Sequence, residues 1–589
     1  MAASSLPIRP TGVTYYRCAN WRDSGPACND EGRLPCEVCH LVLYCSTACR
    51  NAHEDIHVED CAHGLTQTTW FPKWFAENRI PVFIKDREVV HPLTRRVPRI
   101  IYSWGNMPAI DLLDVEFNEG IETQRHLRIL TVESDIRHGV QTIARLPDGF
   151  IGQITLTYSN DNMDMCARNI LLVMLTYLVG DKDVAVDCMI HVWYSAYLKP
   201  CHVRILTEII RPYIAQAAQV ASDQRGDETL CRTFVENGRG LRIALTPAQW
   251  QALLTYFDFC QEDDAYEPQS AIARNEVMAS DAYEDERDLV LLRNLPHCRV
   301  AITKFWRDGV VQPFGQDCSE FTIPNPMLFH NGDWTVEELA DPFDGWDFPA
   351  IVTRASHMPK SDLYGRLYCY LQGLFGNFVK KAHDKVVRFE MLNTSLEEIH
   401  SYVEPRSFAR IDATAVTESP DYGVRQVFEN LGHLLELPEI NPHAAVLGLY
   451  VQKIEDELMK HEDLGPNAEQ REAVGQLLDL DSDAMDEQYS KEMIRCHDAL
   501  PLVLDVDEAF SRWSRNSGFL NYLRANGLKL KTNHSIVRKW PTRIDLQSTA
   551  SMGNLRRAFS LSMASPHGGG ERLVEIQRVT KELEAPRGL

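Results

Sequence analysis

Seven of the sixteen cysteines in this 589-residue chain fall between Cys18 and Cys61, and the other nine are scattered singly from Cys166 to Cys496. Clustering of that kind, in a chain whose start carries no basic and apolar signal-like stretch, points to metal rather than to disulfides. The cluster runs Cys18, Cys28, Cys36, Cys39, Cys45, Cys49, His57 and Cys61. Zinc takes four tetrahedral thiolate or imidazole ligands, and the C-x2-C pair Cys36 and Cys39 supplies two from one tight turn. Cys45 and Cys49 are four residues apart, as are His57 and Cys61, a spacing that puts each pair on one side of a helical turn. Eight ligands make two closed sites. The expectation is a small module over residues 1–65 built around two structural Zn2+ ions.

The tripeptide Tyr44-Cys45-Ser46, then Cys49, His57 eight residues later and Cys61 four beyond it, resembles the MYND finger family in order and spacing. The resemblance implies interleaved sites, with Cys18, Cys28, Cys45 and Cys49 on one zinc and Cys36, Cys39, His57 and Cys61 on the other. Three features depart from the family pattern. Nine residues separate Cys18 from Cys28 where the family opens with C-x2-C, and His53 stands at a commonly acidic position. The Gln and Trp with which some members grip proline-rich peptides are Arg50 and Glu54 here, which points away from that mode. His53-Glu54-Asp55-Ile56-His57 also matches H-E-x-x-H, the helical signature of zinc proteases. A catalytic zinc needs an open position and a cleft, but His57 is already claimed by three thiolates in a segment too short to form one. Three arginines against eight acids between Cys18 and Cys61 leave a side-chain balance of −5, and seven thiolates with two zinc ions add −3. Such a finger repels nucleic acid and favours a protein partner, unless it only packs on the rest of the chain.

The remainder is too long for one compact core. Residues 66–99 read as a linker that partly packs on the next domain. "LRILTV" (Leu127 to Val132) is a β-branched run, a helical pattern follows it, "GQITLTYSND" alternates like a strand, and "MCARNILLVMLTYL" suits a buried helix. Strand then helix, repeated, implies a parallel sheet with helices on its faces. The same order returns in "VVRFEMLN", "FARIDATAV", "GVRQVFENLGHLL" and "HAAVLGLYV". The expected architecture is therefore α/β, one three-layer sheet in two halves, 100–205 and 361–548. A mainly helical insertion, 206–360, separates the halves, and a partly mobile, Ser- and Gly-rich tail, 549–589, follows them.

A second resemblance rests on "WGNMPAIDLLDVEFNEG" (Trp104 to Gly120), "SDIRHGVQTIARLP", "CARNILLVML" and "WYSAYL" (Trp193 to Leu198), with "FWRDGVVQPFG", "DPFDGWD" and "YGRLYCYLQGLF" further on. These look like a domain of unknown function found in many fungal proteins, in a largely uncharacterised family that joins it to an N-terminal MYND finger, and in a dynein axonemal assembly factor. That domain looks related to Rossmann-like methyltransferases, which hold S-adenosylmethionine over a Gly-rich first turn and grip its ribose with an acid after the second strand. Here the first turn, Val132 to His138, has no glycine before Gly139, and Asp161 stands where the ribose acid would.

No phosphate-binding loop, nucleophile elbow or G-x-G-x-x-G is present in the sequence. His191 and His443 read as satisfied core or turn residues, and the tryptophans at 104, 193, 306, 334 and 346 as packing anchors. The formal net charge of −23 argues against nucleic-acid binding, and the basic run Arg524, Lys529, Lys531, Arg538, Lys539 and Arg543 reads as a strand edge defended by lysines. The longest apolar stretch, Ile170 to Val179, is half a bilayer span, so the chain is expected in the cytoplasm, with nuclear entry left open. Two functions remain: a non-catalytic interaction or assembly scaffold using the finger, and a methyltransferase with a non-standard cofactor turn.

Overall fold

The structure, a computed structural model, describes residues 16–21, 28–67, 69–85, 104–105, 107–224, 228–234, 239–257, 266–330, 333–337, 339–419, 422–461, 466–565 and 568–579. Parts of the expected finger, linker and tail lie outside these described residues. In the finger, strand β1 (Leu34–Pro35) pairs antiparallel with β2 (Leu43–Tyr44), and helices α1 (Thr47–Ala52) and α2 (Glu54–Cys61) follow. Ser46 caps α1 by accepting the Cys49 N–H, the bond that an N-cap serine makes with an otherwise unpaired amide.

Nine strands form one large mixed sheet. In chain order they are β3 (His126–Val132), β4 (Gln153–Ser159), β5 (Leu230–Phe234), β6 (Gly240–Leu245), β7 (Val386–Leu392), β8 (Arg410–Asp412), β9 (Ala445–Tyr450), β10 (Leu528–Leu530) and β11 (Arg572–Arg578). Their spatial order is β10-β11-β9-β8-β3-β4-β7-β6-β5. Neighbours from β9 through β6 run parallel, while β11 is antiparallel to both β9 and β10, and β5 is antiparallel to β6. From β3 the chain builds outward through β4 to β7, then crosses back to lay β8 and β9 on the other side. The direction of growth therefore reverses between β3 and β8.

Strand β3 shows why both faces of the sheet are covered. Leu127 and Ile129 enter the larger apolar cluster and Leu130 and Val132 a second one, as the two-residue period of a strand dictates. Helices α3 (Arg137–Arg145), α4 (Met163–Leu178), α5 (Lys182–Tyr194), α6 (Pro200–Arg204), α7 (Pro296–Asp308) and α8 (Leu363–Asp384) all contribute to the first cluster or border it. Helix α4, apolar on every side in sequence, is buried from Cys166 to Thr176. Trp193 lies at an aromatic centre, stacked on Tyr194 and Phe375 and edge-on to Trp346. Trp74 in the 66–99 segment is fully buried, and Arg79 there makes two 2.6 Å bonds to Asp285.

The sheet departs from the sequence reading in two places. The stretch expected as a helical insertion supplies β5 and β6, which widen the sheet at one edge. Only Leu230 of β5 is buried, with Cys231 and Thr233 exposed and Arg232 and Phe234 half-buried, so its apolar signal is that of an edge strand and is easily missed. The expected tail likewise contains helix Met552–Ala564 and then β11, an interior strand, so the sheet extends to Arg578 rather than ending at 548. "ERLVEIQR" looks solvated because it carries four charges. Yet Glu575 is wholly buried, receiving Lys531 Nζ at 2.8 Å and the backbone N–H groups of Ser535 and Ile536 at 2.9 and 2.8 Å. Of the basic run, Lys531 is thus consumed internally, while Lys529 is exposed on the edge strand β10. Among the described residues no helix is long and apolar enough to cross a membrane.

Candidate metal centre and the crevice at the sheet's carboxyl edge

The finger gathers its eight candidate ligands into two groups of four, Cys18 with Cys28, Cys45 and Cys49, and Cys36 with Cys39, His57 and Cys61. Within each group the ligand atoms lie within 4.8 Å of one another. Cys45 Sγ is 3.6 Å from Cys28 Sγ and 3.4 Å from Cys49 Sγ; Cys36 and Cys61 Sγ are 3.9 Å apart, and Cys39 Sγ is 3.2 Å from His57 Nε2. Thiolates on a tetrahedral zinc at a Zn–S distance of about 2.3 Å stand about 3.8 Å apart, so the donor sets fit that ion. The backbone explains the grouping. The N–H of Cys18 donates to Asp30 and that of Cys28 to Asn20, which folds the long first loop back on itself. His40 takes a left-handed φ of 52° to close the Cys36–Cys39 turn. His53, the first histidine of the protease-like motif, is buried with its Nδ1 3.1 Å from the Tyr44 hydroxyl and belongs to neither group.

Residues 26–61 match the MYND finger family model. Cys18 lies outside the matched stretch, and the geometry groups it with Cys28, Cys45 and Cys49. A second family model, the domain of unknown function DUF4470, matches residues 103–198, which span β3 to α5. No curated protein and no solved structure matches the chain.

The MYND finger is docked on the large body. Tyr16 Oη donates to Asp362 Oδ2 at 2.7 Å, and the same carboxylate accepts the N–H groups of Phe314 and Gly365, each at 2.8 Å. Burial pushes the Asp362 carboxyl up to about 6. Ala19, Leu41 and Val42 pack on Val300 and Ala301 of α7 and on Phe314. The Ser361 N–H donates to the His40 carbonyl at 2.9 Å, and Trp21 Nε1 donates to the Gly315 carbonyl. Part of the unusual loop after Cys18 is therefore a docking element.

At the reversal between β3 and β8, the place where open α/β sheets hold ligands, the turn from β3 into α3 is filled by its own side chains. Arg137 Nε lies 2.9 and 2.7 Å from the two Asp135 oxygens, and its NH1 donates to the carbonyls of Met107 and Gly345 at 2.8 and 2.9 Å. Both side chains are buried. Burial alone raises the Asp135 carboxyl, but Arg137 and Arg168 outweigh it and hold the group below the usual carboxylate range. Gly105 and Gly345 close over the guanidinium. A Cβ on Gly105, whose φ is +105°, meets Arg137 Cζ at 2.2 Å, and one on Gly345 meets Arg137 Cδ at 2.6 Å. Those glycines allow the close approach of the arginine. Glu133 follows β3 at a left-handed φ of 50°, and its Oε1 accepts the Asp161 N–H at 2.9 Å. Burial, with Asp161 nearby, pushes Glu133 up to about 8. The Asp161 carboxylate is 3.3 Å from the Tyr422 hydroxyl, and Asp161 itself is exposed.

Sequence reasoning missed one polar centre. Asp187, His191 and His202 are buried with ligand-type atoms within 4.8 Å of one another, an arrangement compatible with metal. The D-x3-H spacing on α5 was the available signal. Hydrogen bonding accounts for every one of these atoms. Asp187 accepts from Tyr368 Oη at 2.7 Å and from His202 Nε2 at 3.0 Å, with His191 Nε2 at 3.4 Å. His202 Nδ1 accepts the Lys199 N–H, which leaves the proton on Nε2, and His191 Nδ1 pairs with Ser195 Oγ at 2.9 Å. Lys199 Nζ, 4.0 Å away, already balances the carboxylate, so a buried dication there has no charge to neutralise. The group ties α5, α6 and α8 together.

Proposed function

We propose that this chain is a zinc-built interaction or assembly scaffold. Cys18, Cys28, Cys45 and Cys49 hold one structural Zn2+ and Cys36, Cys39, His57 and Cys61 the other. The finger meets a protein partner, and the α/β body is a non-catalytic platform on which it is mounted. The observation that carries the non-catalytic reading is the buried Arg137–Asp135 pair, sealed by Gly105 and Gly345, in the crevice where a cofactor would lie. With a net charge of −23, the partner is a protein rather than a nucleic acid, met in the cytoplasm or nucleus. The test is capture of partners by the zinc-loaded full chain beside His57→Ala. Retention that does not depend on the intact finger refutes the reading.

One observation favours a methyltransferase. Leaving aside the edge pair β5 and β6, the order β7-β4-β3-β8-β9 runs 3-2-1-4-5 in chain order, which supports a doubly wound, cofactor-holding reading. Calorimetric titration with S-adenosylmethionine separates the two readings: no heat at millimolar ligand leaves the scaffold, and saturable binding displaces it. A fold that suits catalysis is not a site that performs it.

A further inference from the structure

Docking leaves α2 and the Cys36–Cys39 turn exposed, and that surface is acidic with apolar points. On α2 the metal-group residues His57 and Cys61 lie on one side, four residues apart. Glu54, Asp55, Val58 and Glu59, at relative positions i, i+1, i+4 and i+5, cover a continuous stretch that begins beside that side, and all four are exposed. Val58 is 51% exposed, and Val38, in the turn between Cys36 and Cys39 beside the same metal group, is 67% exposed. Glu37 in that turn meets only the exposed Arg50, at 3.8 Å. Among the described residues no cation pairs with Glu54, Asp55 or Glu59, although an isolated helix surface gains from such pairs. Four of the finger's eight acids, Glu37, Glu54, Asp55 and Glu59, therefore lie on this exposed surface.

We infer that this face, α2 with the Cys36–Cys39 turn, docks a positively charged segment of a partner protein that carries apolar side chains between its Lys or Arg residues. Val38 and Val58 are the anchors, and the carboxylates set orientation and rate of encounter. This rests on the scaffold reading above and gives its partner a chemistry. It differs from proline-rich recognition, whose Gln and Trp are replaced here by Arg50 and Glu54.

The test uses the zinc-loaded full chain and three short fluorescein-labelled peptides, of alternating Lys and Leu, alternating Glu and Leu, and alternating Pro and Leu, with anisotropy read at low and high salt. The Lys/Leu peptide should bind at least about tenfold tighter than the other two and lose about tenfold at high salt. Reversal by Glu54→Lys, Asp55→Lys and Glu59→Lys together should cost about tenfold, and the milder Glu54→Gln, Asp55→Asn, Glu59→Gln set a smaller part of it, with zinc content measured on each. Equal affinity for the Glu/Leu peptide, or affinity untouched in a charge variant that keeps its zinc, overturns the inference. If finger-dependent partner capture survives that result, only the partner's chemistry is wrong; if His57→Ala also leaves capture intact, recruitment itself fails.

Discussion

Arg137→Met is the perturbation that most directly tests whether the crevice is closed by design of the chain itself. The substitution removes a guanidinium that makes two short contacts to Asp135 and two bonds to the Met107 and Gly345 carbonyls, all in a buried setting. It strands Asp135 with Arg168 as its remaining cation. Breaking one side of a buried pair costs about 3–5 kcal/mol, because the surviving charge stays desolvated. Removing both sides, in Arg137→Met with Asp135→Asn, should cost less than the sum of the two single variants but recover only part of the loss, because Arg168, buried beside Asp135, then loses its nearest carboxylate. The assay is urea unfolding followed by tryptophan fluorescence, for which Trp104, Trp193 and Trp346 in the adjacent core are reporters. The reasoning fails if the single variant costs less than about 1 kcal/mol, or if the double variant is worse than the single by the full cost of a second independent site. A single variant that binds S-adenosylmethionine where the parent does not would show that Arg137 is a plug in a functional cofactor site.

Four further outcomes are expected. Metal analysis should find two zinc ions per chain, with Cys28→Ser and His57→Ala each losing one; a single ion that survives Cys28→Ser excludes the Cys18 group from binding. Tyr16→Phe removes the donor to Asp362 at the junction and should weaken docking by about 1.5–3 kcal/mol, seen as faster proteolysis between finger and body; unchanged cleavage refutes it. The Asp362 carboxyl titrates at about 6 when folded against 3.8 ordinarily, so the stability it contributes is complete below about pH 4 and is lost as pH rises through 6. Asp362→Asn should flatten the melting temperature across that window, and an unaltered slope contradicts the assignment. Gly105→Ala should destabilise the body by at least about 1 kcal/mol, both from its left-handed φ and from contact with Arg137; a melting temperature equal to the parent's refutes the close-approach argument.

Local spacing was enough to name the eight residues that the structure gathers in the finger, because metal-site geometry is set by a few bonds between residues close in sequence. Period-two and period-3.6 patterns likewise located β3, β4, α4, β7 and β9, whose side chains face apolar layers on one or both faces. The patterns did not reach β5, an edge strand exposed at alternate positions, or β11, whose buried Glu575 is satisfied by Lys531 and the 535–536 amides from a distant loop. Sequence spacing also left open what occupies the turn after β3. The missing glycines were legible, but the arginine in their place acquires its partners from residues 107, 135 and 345, which only chain folding brings together. The same holds for the finger's orientation. Its candidate ligands follow from local spacing, whereas its docked face depends on Phe314 and Asp362, about three hundred residues away, and so which finger surfaces the body covers was decided by tertiary packing alone.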